Sequence, residues 1–272
     1  MKKPKIIFLD LDHTSLDAKT NGKKHFSQEN LKAIKEVNKN IPIVISTGRG
    51  NNSNTRRIIN EANLSTFIAW NGAQIIDNGK QVERFPMNRN VVQELFDQIY
   101  LEKVSVIFNS DPKRMGFVRN KFFKFILKLG DHSARNYWEF RNDFIAYKAL
   151  IWTPSKRKIA KLAKKWSLMF AGELTISISG NKNNFIEITA FNVSKGHAEK
   201  RLCELWGINP SDTIHIGDSM NDASTKNIVG KVVAMNNSVE EFKKIADEVL
   251  PYSYKNGGVA KYLSQFIKQK SA

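Results

Sequence analysis

The sequence predicts an α/β protein: a doubly wound parallel sheet built from both ends of the chain, interrupted by an α+β insert. Three observations carry this expectation. Residues 1–70 alternate continuous apolar runs with helical-period segments, reading β-α-β-α-β. Residues 85–190 change character, with strands following one another and hairpin signals near them. From 191 the alternation returns and runs to the end of the 272 residues. The expected division is a discontinuous core, 1–84 with 191–272, and an inserted domain, 85–190.

Each element has its own warrant. "KIIFLD" (5–10) and "IPIVIST" (41–47) are continuous apolar strands, the kind found where a parallel sheet is covered on both faces. Between them, Leu31, Ile34 and Val37 recur at helical spacing over 27–40, with Ser27 as N-cap. A helix over 51–64 and a short strand over 66–70 follow. Asn78-Gly79 between two β-prone runs signals a hairpin. In the insert, 89–101 and the basic stretch 155–169 read as helices. The runs 104–110 and 146–153 read as strands, and 174–189 as two strands joined by a Gly/Asn turn. "FFKFILKLG" (122–130) reads as buried helix, and Lys113-Arg114 as an exposed turn. The second half of the core supplies a helix at 194–207, strands "TIHIGD" (213–218) and "KVVAM" (231–235), and a helix with a last strand at 238–250. The helix "GGVAKYLSQFIKQ" closes the chain.

Composition bounds the function. The net charge of +17 favours anionic partners, but the lysines are spread along the whole chain and no nucleic-acid module stands out, so a nucleic-acid role is not expected. No run approaches the roughly 18 apolar residues of a membrane span. The single cysteine, Cys203, cannot form an internal disulfide and sits in a helical stretch beside Leu202, as a buried thiol would. A cytoplasmic location and a monomer or weak dimer are the expectations.

The chemistry concentrates where strands end. Ligands of open α/β sheets bind at the carboxyl ends of the strands. Strand one ends at Asp10, with Asp12 on the same face and the Thr14 hydroxyl two further on; strand two ends at Ser46-Thr47-Gly48. "TIHIGD" ends at Asp218, with Asn221 and Asp222 in the next turn, and Lys195 opens the helix after the insert. Clustered carboxylates are costly unless a cation compensates them, and a hard divalent cation such as Mg2+ suits oxygen ligands and phosphate oxygens. Asp10 and Asp218 are the expected first ligands, with Asp222 nearby; the Thr47 hydroxyl, the Lys195 ammonium and backbone N–H groups near Asp10 and Gly48 would hold a phosphate. Each piece alone is a weak signal. A lone Asp-x-Asp also occurs as a turn, and a lone Ser-Thr-Gly-Arg is a generic strand-to-helix turn.

Together and in order, "FLDLDHTSLD", "VISTGR", "NGAQIID", "VSKGHA", "GDSMNDA" and "NGGVAKYL" resemble the haloacid dehalogenase (HAD) superfamily, and within it the Cof-type phosphatases with a C2B α+β cap. The resemblance spans the core at both ends and is weak across the insert. It implies a Rossmann-like core and a Mg2+-dependent phosphatase acting on small phosphorylated metabolites, sugar phosphates above all. It implies Asp10 as the nucleophile that forms an aspartyl-phosphate, and Asp12 as the acid that protonates the leaving alcohol and then the base that activates water. Thr47, Gly48, Lys195 and Asn221 would lie at the phosphate. Asp10, Asp218, Asp222 and the backbone carbonyl of Asp12 would lie at the metal. The cap would cover the site and choose the substrate. A phosphomutase is the alternative, since relatives with a similar cap isomerise sugar phosphates. A phospho-receiver domain would be about half this length. The sequence departs from the family at His13, where many relatives have glycine; His13 has no obvious metal or catalytic partner and reads as a tolerated change.

Overall fold

The computed structural model describes residues 3–119, 134–179 and 184–267. The chain divides into two compact units, Met1–Arg84 with Ser194–Ala272, and Phe85–Val193. In chain order the first unit begins β1 (Ile6–Leu9), β2 (Ala18–Thr20), β3 (Lys23–His25), α1 (Gln28–Asn38), β4 (Ile43–Ser46), α2 (Ser53–Glu61), β5 (Phe67–Ala69), β6 (Gln74–Asp77) and β7 (Lys80–Arg84). The inserted unit follows as α3 (Arg89–Glu102), β8 (Ser105–Phe108), α4 (Pro112–Met115), β9 (Gly116–Val118), β10 (Arg135–Asn136), β11 (Ala149–Trp152), α5 (Lys156–Met169), β12 (Leu174–Ser179) and β13 (Phe185–Ala190). The first unit resumes with α6 (Lys195–Leu205), β14 (Thr213–Gly217), β15 (Lys231–Ala234), α7 (Glu240–Lys243), β16 (Glu248–Val249) and α8 (Gly258–Leu263).

The first unit holds one sheet in the order β16-β15-β14-β1-β4-β5-β6-β7. From β16 to β5 every pairing is parallel; β6 and β7 add antiparallel strands at one edge. All four residues of β1 are buried, as a strand covered on both faces requires. Ile7, Leu9, Ile43 and Ile45 share a cluster with Ile34 and Val37 of α1, Ile58 and Ile59 of α2, and Val259 and Leu263 of α8. Ser27 caps its helix as the sequence suggests, its Oγ accepting from Asn30 N at 3.1 Å, and Ser194 Oγ likewise accepts from His197 N at 3.2 Å. β1 and β14 lie side by side in the middle, so the segments after them leave the sheet as neighbours, beside the segment after β4.

The inserted unit has a sheet in the order β10-β9-β8-β11-β13-β12, mainly antiparallel. Its core joins Phe108, Ala149, Ile151 and Ile188 to Leu95 and Phe96 of α3 and to Ile159 and Trp166 of α5. The stretch 122–130 and the turn between β12 and β13 lie outside the described residues. Lys113 and Arg114 are exposed, on α4. One element was not expected: β2 and β3 form a small hairpin just after the first strand, closed by Asn21 and Gly22 at φ 49° and 77°. Asn-Gly is the sequence signal for such a turn.

Candidate active site

The β1–β14 pairing sets the site. Asp10 N donates to Ile216 O at 3.0 Å, which ties the end of β1 to the end of β14. Ser15 Oγ donates to the Asp10 carbonyl at 2.6 Å, folding the following turn back under it. Lys195, the first residue of α6, is fully buried. Its Nζ donates to Asp10 Oδ1 at 2.5 Å and to Asp222 Oδ1 at 2.7 Å. This bridge brings two carboxylates from opposite ends of the sequence onto one ammonium. Burial alone would lower the Lys195 pKa, but the charges of Asp10 and Asp222 outweigh it and hold the pKa above the usual lysine range.

Asp222 is saturated by protein groups. Its Oδ1 also accepts from His215 Nε2 at 2.9 Å, and its Oδ2 accepts from the backbone N–H of Asp218 and of Ser219, both at 3.0 Å. Gly217 permits this fold-back, because a Cβ there would come within 2.3 Å of Asp222 Cγ. His215 donates its other nitrogen, Nδ1, to Glu199 Oε1 at 2.8 Å. Glu199 stands one helical turn after Lys195, so both reach the interior from the same side of α6. Burial opposes a charged imidazole, yet the Glu199 charge and the Asp222 hydrogen bond raise His215 to about 9. Burial likewise works against the Asp222 carboxylate; the Lys195 charge and the His215 hydrogen bond prevail and hold its pKa well below the usual range.

Asp218 is the opposite case. It is 7% exposed, and its carboxylate meets the Thr14 hydroxyl at a long 3.5 Å. Burial, with the charges of Asp10 and Asp222 beside it, pushes its pKa up to about 8. Asp10 is raised to about 6, by burial first and against the pull of Lys195. A carboxylate that burial and like charges disfavour, next to a second raised carboxylate, is a donor set short of one cation. Among the described residues no three His, Cys, Asp or Glu side chains converge as a ready cage. Mg2+ does not require one: it keeps several waters and takes one or two carboxylates together with phosphate oxygens. Asp10 and Asp218 fit that demand, whereas the oxygens of Asp222 are already engaged by protein donors.

Asp12 lies at the edge of this cluster, its side chain 36% exposed. Arg49 Nε donates to its Oδ2 at 2.6 Å, Arg49 Nη2 to its Oδ1 at 2.8 Å, and Lys24 Nζ to Oδ1 at 2.9 Å. Partial burial would raise its pKa, but the Arg49 hydrogen bonds and charge, with Lys24 behind them, hold it well below the usual carboxylate range. Thr47 is buried, and its Oγ1 accepts from Arg49 N at 3.2 Å. Asn71 joins the remaining pieces. Its N–H donates to Thr47 O at 3.0 Å, its Oδ1 accepts from Asn221 Nδ2 at 3.1 Å, and a Cβ on Gly48 would lie 3.0 Å from that Oδ1. Asn71 sits in a left-handed run, with φ 47° at Trp70, 53° at Asn71 and 106° at Gly72.

The structure therefore brings Asp10, Lys195, Asp218 and Asp222 into one buried charge cluster, sets Asp12 at its edge, and links Thr47, Gly48 and Asn221 through Asn71. Sequence reasoning missed five residues here. Arg49 followed directly on Thr47-Gly48, Asn71 lay in a quoted motif, His215 interrupted an apolar strand, and Glu199 followed Lys195 at helical spacing. Lys24 gave no local signal. His13, for which no metal or catalytic partner was expected, makes other contacts. Its ring contacts Lys24 Nζ at 3.3 Å and meets Tyr254 edge-on, and its carbonyl accepts from Asn237 Nδ2 at 2.9 Å.

Comparison with known proteins agrees with this architecture. The chain is 27% identical to the 5-amino-6-(5-phospho-D-ribitylamino)uracil phosphatase YcsE of Bacillus subtilis, over 97% of this chain and 96% of that one. A HAD-superfamily phosphatase from Bacteroides thetaiotaomicron superposes with a TM-score of 0.79 at 20% identity, covering 97% of this chain and 95% of that one. A HAD subclass IIB sugar phosphatase superposes with a TM-score of 0.76 at 19% identity, covering 96% and 98%. Among the described residues no helix is long and apolar enough to cross a membrane. A family profile described as haloacid dehalogenase-like hydrolase matches residues 7–263, and the chain belongs to that family, in its Cof-type branch.

Proposed function

We propose that this protein is a Mg2+-dependent phosphatase that hydrolyses small phosphorylated metabolites, sugar phosphates foremost, through an aspartyl-phosphate on Asp10. The observation that carries the reading is the Lys195 ammonium on Asp10 and Asp222, beside an Asp218 carboxylate short of a cation. Relatives named as phosphatases, and a structural neighbour named as a sugar phosphatase, support the same class.

Asp10 and Asp218 would hold the metal, which when bound supplies positive charge against the phosphate oxygens. Lys195 fixes the Asp10 carboxylate and adds charge at the transferring phosphoryl group. The Asp10 oxygen attacks phosphorus, the ester P–O bond breaks, and the leaving oxygen takes a proton from Asp12. Water then attacks the aspartyl-phosphate and gives its proton to Asp12, and phosphate leaves. Thr47 and Asn221 would donate to phosphate oxygens, and Asn71, which is hydrogen-bonded to both, would hold them in register.

The test is phosphate release from a panel of sugar phosphates, nucleotides and flavin mononucleotide, with Mg2+ or with EDTA. Release that needs Mg2+ and falls by at least about a thousandfold in Asp10→Asn is expected. Release that survives Asp10→Asn would rule the reading out.

A further inference from the structure

Asp12 is gripped from two elements. Arg49, after β4, takes both of its oxygens, and Lys24, on the β2–β3 hairpin, takes Oδ1 again. Arginine and lysine side chains offer donors only, so both Asp12 oxygens are committed as acceptors. Lys24 is itself braced. Its Nζ lies 3.3 Å from His13 Nε2, which can accept from an ammonium only as a neutral ring. His13 is fixed in turn by Tyr254, whose ring centroid lies 5.3 Å away in an edge-on contact, and by the Asn237 hydrogen bond to its carbonyl. It stands at φ 61°, where a residue with a Cβ is strained and glycine is not. The position thus keeps a strained side chain that touches the partner of Asp12.

The proposed reaction asks two things of Asp12: to give a proton to the leaving oxygen, and later to take one from water. The observed grip suits the second, because a carboxylate surrounded by donors is set to accept. We infer that Lys24, braced by His13, is a positioning residue that holds Asp12 as the base for hydrolysis of the phosphoenzyme. In that step the water oxygen bonds to phosphorus and the bond from phosphorus to the Asp10 oxygen breaks, its electron pair returning to Asp10. The water proton passes to Asp12. The inference rests on the phosphatase reading.

The experiment uses the full chain with Mg2+ and p-nitrophenyl phosphate, whose good leaving group needs little help from an acid. Lys24→Met should lower kcat about tenfold and KM with it, so that kcat/KM changes far less. Stopped-flow should then show a burst approaching one p-nitrophenol per protein, and acid quenching should trap covalent phosphate. Lys24→Arg should recover most of kcat. His13→Gly removes the backbone strain, so it does not endanger folding, and should lower kcat in the same direction by about threefold. Equal losses in kcat and kcat/KM without a burst, or an unchanged kcat in Lys24→Met, would overturn the inference while leaving the phosphatase reading intact. A wild-type protein that releases neither p-nitrophenol nor phosphate from the metabolite panel would overturn both.

Discussion

The two units solve the problem of a packed interior with different materials. The first buries charge: Asp10, Lys195, Glu199, His215, Asp218 and Asp222 are all under 9% exposed and are linked by hydrogen bonds or direct charge interactions. The inserted unit buries rings. Phe96 stacks on Phe140 at 3.7 Å and meets Phe117 and Tyr137 edge-on, while Trp166 is fully enclosed. Buried charge is costly unless it is paired, whereas aromatic packing stabilises a small unit without that cost. The difference teaches where to look for function: a buried ionic network in an otherwise apolar sheet is the part of the molecule on which the proposed phosphatase reading rests.

Substitutions at the two kinds of interior should behave differently. Lys195→Met leaves two buried carboxylates on one site without their shared cation. It should destabilise the protein by about 3–5 kcal/mol in denaturant unfolding and also abolish phosphate release. A variant as stable as wild type would mean that the core charges do not depend on one another. Trp166→Ala opens a cavity among apolar neighbours and should cost about 3–5 kcal/mol with no charge involved. Because Trp166 Nε1 finds no acceptor among the described residues, Trp166→Phe should cost under about 1.5 kcal/mol. A larger loss would point to a polar role for that ring.

The inserted unit also encloses charge, in the ion pair Lys148–Glu187 at 2.9 Å, with side chains 6% and 12% exposed. Replacing both partners, Lys148→Met with Glu187→Leu, should be neutral or stabilising by up to about 4 kcal/mol, while Lys148→Met alone should cost about 3 kcal/mol. If the double variant is strongly destabilised, the comparison between the units weakens.

The smallest effect concerns Cys203, buried on α6. Burial, then the charges of Glu199 and Glu204, push its thiol up to about 12. The folded state therefore keeps its proton at pH values where the unfolded thiol, near its usual value of about 9, loses one. Stability from this group is fully present below about pH 9 and declines as pH rises toward 12. At pH 8 a thiol reagent should label the native protein at least about a hundredfold more slowly than the unfolded chain. Rapid native labelling would show that α6, which carries Lys195 and Glu199, opens readily.

Much of this was legible in the sequence, for local reasons. Continuous apolar runs such as 41–47, helical spacing over 27–40 and the Ser27 cap depend on neighbours in the chain, and they are found where expected. The sequence by itself also determined which chemistry could gather, because a parallel sheet delivers the residues after its strands to one edge. Hence Asp10, Lys195, Asp218 and Asp222 could be anticipated as a group. Only the tertiary structure decided who holds whom. Lys24 reaches Asp12 because a hairpin folds back, and Arg49 reaches it across 37 positions of sequence. Asp222 is engaged by protein donors while Asp218, four residues earlier, meets the Thr14 hydroxyl at a long 3.5 Å. Such pairings are set by distances between segments remote in sequence and by the burial those segments impose. No local period or composition encodes either quantity.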